Sequence, residues 1–321
     1  MKKFFIFLLI LFSFISSKVL AFETEMIPET ENKGDFVLGG GKTELELDPG
    51  QTADSRITLT NRTGSEADFI VKVEDFQGSK NESDVSFDFL DQEKSVFSLR
   101  DYLKPEVSEF RLKHGEQIKL PIKIEIPKNS RPGGLYGAVI ISKKNTEDPV
   151  SGEKVTGNIK IISRLAALFY IRVRGETVEE GSLKSFVSDK YFYEKGPVRL
   201  KIDFENRGNI HLKPSGRIDF FNILNEKVGE AQVSEFFVLP DSIRQKQISY
   251  EKSLMIGKYR ADLSLDYGYD GQKENRSVYF WVIPWKILLT IFILIFGLIL
   301  GFQQLKNRFS FQIKMKKKKS R

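Results

Sequence analysis

In Gln117-Ile118-Lys119-Leu120-Pro121-Ile122-Lys123-Ile124-Glu125-Ile126, every second residue is Ile or Leu. A period of two sends those side chains to one face of a strand and the intervening ones to the other, so the stretch reads as a half-buried strand. Working outward, the same alternation recurs in shorter pieces. Thr43 to Leu47 alternates and meets the turn Asp48-Pro49-Gly50, and Arg56 to Thr60 alternates and meets Asn61-Arg62-Thr63-Gly64. Phe69 to Val73 and Leu135 to Ile141 are further strands; only Val96 to Leu103 suggests a helical turn. Short strands punctuated by Gly, Pro, Asn and Asp indicate a sandwich rather than an α/β sheet.

A second series begins near Glu176. It contains Pro197 to Phe204, Arg217 to Phe220 and Lys258 to Leu265, then an Asp270-Gly271 hairpin signal closed by Ser277 to Val282. The expected fold is therefore all-β: two immunoglobulin-like β-sandwich domains in tandem, at 36–175 and 176–282, after a linker at 22–35. Ile57 to Gly64 and Leu200 to Gly208 echo one another, each placing an alternating strand before an Asn-Arg turn. Asn is expected there to tolerate left-handed backbone and to cap the turn.

The two ends read differently. Lys2 and Lys3 precede an apolar run from Phe4 to Phe14, interrupted only by Ser13, and Val19-Leu20-Ala21 resembles a cleavage site. This is the pattern of a signal peptide at 1–21, cut after Ala21, with an uncleaved anchor as the alternative. Ile287 to Phe302 has no charge and Thr290 as its only polar side chain, so a membrane helix is expected at 283–305. Trp281 and Trp285, the only tryptophans, stand where an interfacial aromatic belt belongs, and Lys286 can extend toward the headgroups. The basic tail at 306–321 places that end in the cytoplasm and the sandwiches outside, in a single-pass arrangement. The tail serves as a stop-transfer signal or as a contact to acidic headgroups. Gly297 and Gly301 have the spacing of helix-pairing motifs.

The formal net charge of +7 belongs to these ends. Between Phe22 and Trp285 there are 38 basic and 43 acidic side chains, a net of −5, which leaves no footprint for nucleic acid. The chain has no cysteine. That removes thiol nucleophiles and Cys-ligated metals, and an export route without disulfides favours a bacterial envelope.

One region is more specific. Phe97 to Ser142, followed by Ile159 to Glu176, resembles the first domain of the WxL-interacting surface proteins, the DUF916 family. The shared elements are Pro132-Gly133-Gly134, then Tyr136-Gly137, then a late strand led by Arg164 and ending at Gly175. The resemblance covers 36–175 and, by layout alone, the rest. It implies a peptidoglycan-binding first sandwich. The proline and glycine turn also explains itself without ligand, because Pro fixes φ and Gly permits unusual backbone.

Catalytic and metal signatures are sparse. His114 and His211 lie beside turns, without a serine elbow or zinc-type spacing, and read as surface or capping residues. Asp84, Asp88 and Asp91 lack the glycine and terminal glutamate of a calcium loop, while Asp262, Asp266 and Asp270 share a solvated strand face. The sequons at Asn61, Asn81 and Asn275 carry little meaning in a bacterium. Tyr191-Phe192-Tyr193 and Phe236-Phe237 read as core or cross-strand aromatics, or, if exposed, as platforms for sugars or a partner strand. No cofactor is expected. The reading is a non-enzymatic, membrane-anchored extracytoplasmic binding scaffold for peptidoglycan or a secreted surface protein. The alternative is an envelope assembly chaperone, or a subunit of a surface or secretion complex, acting by β-strand addition.

Overall fold

The computed structural model describes residues 23–80, 87–144, 163–252, 255–269 and 271–318. The expected signal peptide with Ala21, and Asn81, Asp84 and Asp270, lie outside the described residues. The chain divides into two compact units, 1–77 with 89–177, and 78–88 with 178–321.

In the first unit the strands are β1 (Thr24–Met26), β2 (Asp35–Gly39), β3 (Lys42–Leu47), β4 (Thr52–Arg62) and β5 (Ala67–Glu74). A two-stranded ribbon follows, β6 (Phe76–Gly78) with β7 (Phe87–Phe89). After a 3-10 turn at Arg100–Tyr102 come β8 (Leu103–Pro105), β9 (Glu109–Leu112), β10 (Glu116–Glu125), β11 (Gly133–Lys143) and β12 (Arg164–Val173). One sheet has the order β1-β10-β4-β2 with β8 also on β10, and the other β3-β12-β11-β5-β9. The alternation that opened the sequence reading lies in and just after β10, and Ile118, Leu120, Ile122, Ile124 and Ile126 are each at most 3% exposed. They face Val139, Phe169 and Ile171 in one apolar cluster. Burying each such side chain contributes about 1.5–3 kcal/mol, which is why the register of β10 tolerates no one-residue slip.

The second unit contains β13 (Gly181–Ser188), β14 (Phe192–Tyr193), β15 (Val198–Asn206), β16 (Ser215–Phe221), β17 (Lys227–Val233), β18 (Ser242–Tyr250), β19 (Gly257–Tyr267) and β20 (Gln272–Val282). Its sheets run β13-β15-β18 and β14-β20-β19-β16-β17 around a core that includes Leu200, Phe204, Phe220 and Phe280. Both units are immunoglobulin-like sandwiches with one shared peculiarity. An early strand runs parallel to the last one, β3 along β12 and β14 along β20, while the other registered pairs are antiparallel. Two residues after β20, α1 (Trp285–Lys318) begins. Its stretch Trp285–Lys306 is long and apolar enough to cross a membrane, and none of it is buried.

Several expectations change. The segment at 22–35 is not a free linker: Thr24 to Met26 pair with Ile118 to Glu116, and the amides of Lys33 and Gly34 donate to the Arg62 carbonyl. Residues 78–88 group with the second unit, and the Ser79 carbonyl accepts from the Ile243 amide at 3.1 Å. The helix does not stop at 305 but continues through most of the basic tail to Lys318.

The Asn-Arg echo proves deeper than a turn preference. Asn61 is the penultimate residue of β4 and Asn206 the last of β15, and both are fully buried. Neither has the left-handed backbone expected of it. Asn61 donates through Nδ2 to the Ser65 and Leu112 carbonyls at 2.8 and 2.9 Å, and its Oδ1 accepts the Thr63 amide at 2.9 Å. Asn206 donates to the Ile210 and Val238 carbonyls at 2.8 and 2.9 Å, and accepts the Gly208 amide at 2.9 Å. The side chain thus replaces main-chain partners that the turn cannot supply.

Candidate functional site

The residues that carry the DUF916 resemblance lie on β11, on β12 and in the segments flanking them. Gly133 and Val173 face each other across β11 and β12, with Gly133 at φ +135°. Gly175 has φ +134°, and a Cβ there would lie 2.4 Å from Pro132 Cγ. Tyr136 is 1% exposed and packs edge-on to Phe97 and Tyr170 with centroids 6.3 and 5.9 Å apart. This aromatic group lies outside the main core of the first unit and is reached by a bridge from Ser98 to Tyr136. Arg164 is exposed at the start of β12, opposite Ser142.

His114 caps: its Nδ1 accepts the Gly64 amide at 3.1 Å and its Nε2 lies 3.0 Å from the Thr30 carbonyl, which fixes the Nε2–H tautomer. His211 departs from the expected surface position. It is fully buried, stacks on Phe237 at 5.2 Å, and its Nε2 lies 3.0 Å from the Tyr269 hydroxyl. Among the described residues, no group of three or more His, Cys, Asp or Glu side chains could hold a metal. Asp262 accepts from Arg260 Nε at 2.9 Å and Asp266 pairs with Lys273 at 3.4 Å, so these carboxylates belong to a salt-bridged outer face. Asn61, buried, is no sequon in practice, whereas Asn275 accepts from Ser264 Oγ at 2.8 Å on that same face. Of the aromatics, Tyr193, Phe236 and Phe237 are buried, and Tyr191 and Phe192 are exposed. Burial, then its hydrogen bond to Asp189, raises the Tyr193 phenol above its ordinary range.

Two surfaces offer hydrogen-bonding groups to solvent. The first is a shallow groove of about 580 Å³ at the end of the outer face of β16–β20 away from α1. Arg217, Gln232, Ser264, Asn275, Ser215 and Lys273 line it, a set rich in hydrogen-bond donors and acceptors with no aromatic platform. The second is the edge strand β18. It pairs with β15 over all nine residues, from Ser242–Asn206 to Tyr250–Val198, without a bulge. Several of the other edges among the described residues are interrupted, charged or short. β13 has a register break between Leu183 and Ser185, and the β17 pairing shifts between Phe220 and Phe221. β3 carries Lys42, Glu44 and Glu46, while β1, β8 and β14 are three residues or fewer. The cations of β18 are held back from its edge, since Arg244 Nη1 donates to the Phe237 carbonyl at 2.6 Å and Lys246 lies over the Phe236 ring at 5.8 Å.

No family model matches the chain, and no curated protein does. Among solved structures, the chain is similar to the class 5 fimbriae chaperone CfaA, at 10% identity and a TM-score of 0.37, over 78% of this chain and 100% of that one. It is similar also to the E. coli chaperone DraB, at 14% identity and a TM-score of 0.35, over 77% and 96%. A third is the chaperone–tip subunit pre-assembly complex CsuC–CsuE of Acinetobacter baumannii, at 11% identity and 0.35, over 76% and 98%. Likeness at this level transfers neither partner nor mechanism.

Proposed function

We propose that the protein is a membrane-tethered, non-catalytic binding protein of the bacterial envelope, holding an extended segment of an envelope protein along β18. That placement is supported by the signal-peptide pattern at 1–21, by the apolar length of α1 and by the basic tail that follows it. One observation supports strand capture above all: the Ile243 amide, at the start of β18, already donates to a carbonyl outside its sheet, that of Ser79. An edge that already donates one such bond is a template for more, with main-chain bonds giving affinity and alternate side chains giving selectivity. A second reading is supported by the polar groove and by the DUF916 resemblance, namely retention of wall polymer.

The two readings separate in one experiment. Full-length protein in native membranes carries a photo-crosslinking side chain at Gln247 or at Asn275. Strand capture gives a single protein adduct at Gln247 that Ser249→Pro abolishes, since proline removes an edge amide. Co-sedimentation with peptidoglycan sacculi, lost in Arg217→Ala and without an adduct at Gln247, would replace strand capture with polymer binding. Neither signal would remove both.

A further inference from the structure

The exposed apolar residues of the second sandwich are concentrated at one end. β20 reaches that end at Val282, and α1 leaves from it. Gly257 pairs with Val282, so Ile256 lies beside the last residue of β20. Phe221 pairs with Arg260 and Arg260 with Tyr279, which brings the turn after β16 to the same end. β14 runs parallel to Trp281 and Val282 there, and the Trp281 amide donates to the Tyr191 carbonyl at 2.9 Å. Ile223 and Leu224 are each 72% exposed, Ile256 60%, and Tyr191 and Phe192 each 59%. At the opposite end, the large exposed apolar residues among those described are Val178 and Tyr269.

The turn holding Ile223 and Leu224 has no structural need of them. Asn222 Oδ1 accepts the amides of Leu224 and Glu226, each at 3.0 Å, and Asn225 supplies the left-handed residue at φ +61°. These two asparagines set the turn, so its tip could be polar at no cost to the fold. An Ile-Leu pair presented there has a use only if something covers it. Lysines lie at the same end: Lys258 lies 4.8 Å over the Tyr279 ring, Lys252 reaches the Val228 carbonyl at 2.9 Å, and Lys286 pairs with Glu194 at 3.0 Å. Apolar tips ringed by aromatic and lysine side chains suit the headgroup–acyl boundary of a bilayer.

We propose that this end of the second sandwich is a membrane-docking surface, inserting Ile223, Leu224, Ile256 and Phe192 into the outer boundary of the bilayer that α1 crosses. The inference rests on the anchoring reading of α1. The sandwich then lies against the bilayer as a second contact beside the helix, in place of swinging above it.

The chain has no cysteine, so single labels can be placed in the full-length protein. Leu224→Cys, Lys273→Cys and Leu294→Cys each carry an environment-sensitive fluorophore in vesicles of phosphatidylcholine and phosphatidylglycerol doped with spin-labelled lipid. The Leu294 position, mid-helix, reports anchoring. Quenching there, with at least about threefold stronger quenching at position 224 than at 273, is the expected result. Quenching at 294 with equal signals at 224 and 273 would overturn docking and leave the anchor standing. No quenching at 294 would overturn both. Shielding at 224 that needs high protein density but not quencher lipid would assign the surface to a second copy instead. In Ile223→Ser/Leu224→Ser, a spin label at 273 gains mobility if docking holds and is unchanged if it does not.

Discussion

Asn61 and Asn206 do the same work in different cores: each lies at the end region of a strand, β4 or β15, and bonds one carbonyl four residues on and another far along the chain. The two sandwiches therefore share a device at the level of individual atoms, alongside the parallel pairing of an early strand with the last.

That device is testable by deletion. Asn61→Ala and Asn206→Ala each remove two donated hydrogen bonds and one accepted from a main-chain amide at a fully buried side chain. Each substitution is expected to cost about 3 kcal/mol in urea unfolding, since stranding buried polar groups is more damaging than losing an average hydrogen bond. The costs should add, because the residues sit in separate cores.

Asp75 is fully buried, and its carboxylate accepts the amides of Ser95, Leu99 and Arg100 at 3.1, 3.1 and 3.0 Å. It thereby starts the 3-10 turn at Arg100–Tyr102. Asp75→Ala should cost about 3 kcal/mol and open the segment around residues 95–105 to protease before the rest of the chain.

Gly175 combines φ +134° with the close approach of Pro132. Gly175→Ala is expected to lower stability by about 2–3 kcal/mol, read as a shifted denaturant midpoint, while Arg164→Ala at the other end of β12 stays within about 0.5 kcal/mol. Equal effects would mean that the Gly175 backbone is not constrained by its contact with Pro132.

The Glu125 carboxyl bonds Lys104 and lies 2.7 Å from Lys123, and these hydrogen bonds lower its pKa from 4.5 to about 2. A lowered folded-state value means a contribution present above about pH 4.5 and lost as the pH falls toward 2. Glu125→Gln should flatten that part of the stability profile, and added salt should flatten it in the natural chain, because the site is open to solvent.

The sequence announces those strands whose inner face is strictly apolar. In β10, β15 and β19 one alternate set of residues is buried along most of the strand, so period two survives. β17 and β18 escape notice because edge strands need little apolar surface: in Lys227–Val233 only Val233 is buried. The Asn-Arg echo was visible, yet its cause was not, because the carbonyls that Asn61 and Asn206 reach at Leu112 and Val238 are remote in sequence. His211 looked like a turn residue for the same reason, since Phe237 and Tyr269 arrive from other strands. The grouping of 78–88 with the second unit and the pairing of β1 with β10 depend on where short segments land, which local periodicity does not encode. The groove is likewise a product of cross-strand register, with Arg217, Ser264 and Asn275 meeting on adjacent strands.

The junction of β20 with α1 has a mechanical meaning. The chain enters the second sandwich at β13 and departs through β20 at the opposite end, with Ile283 and Pro284 alone before the helix. If α1 is the anchor and β18 holds a partner as proposed, a load pulling that partner away from the membrane would run along the strands. It would shear the eleven-residue ladder of β20 against β19, breaking many bonds together, and would not unzip them singly. On that proposal the last strand acts as a tension-bearing cable between partner and anchor.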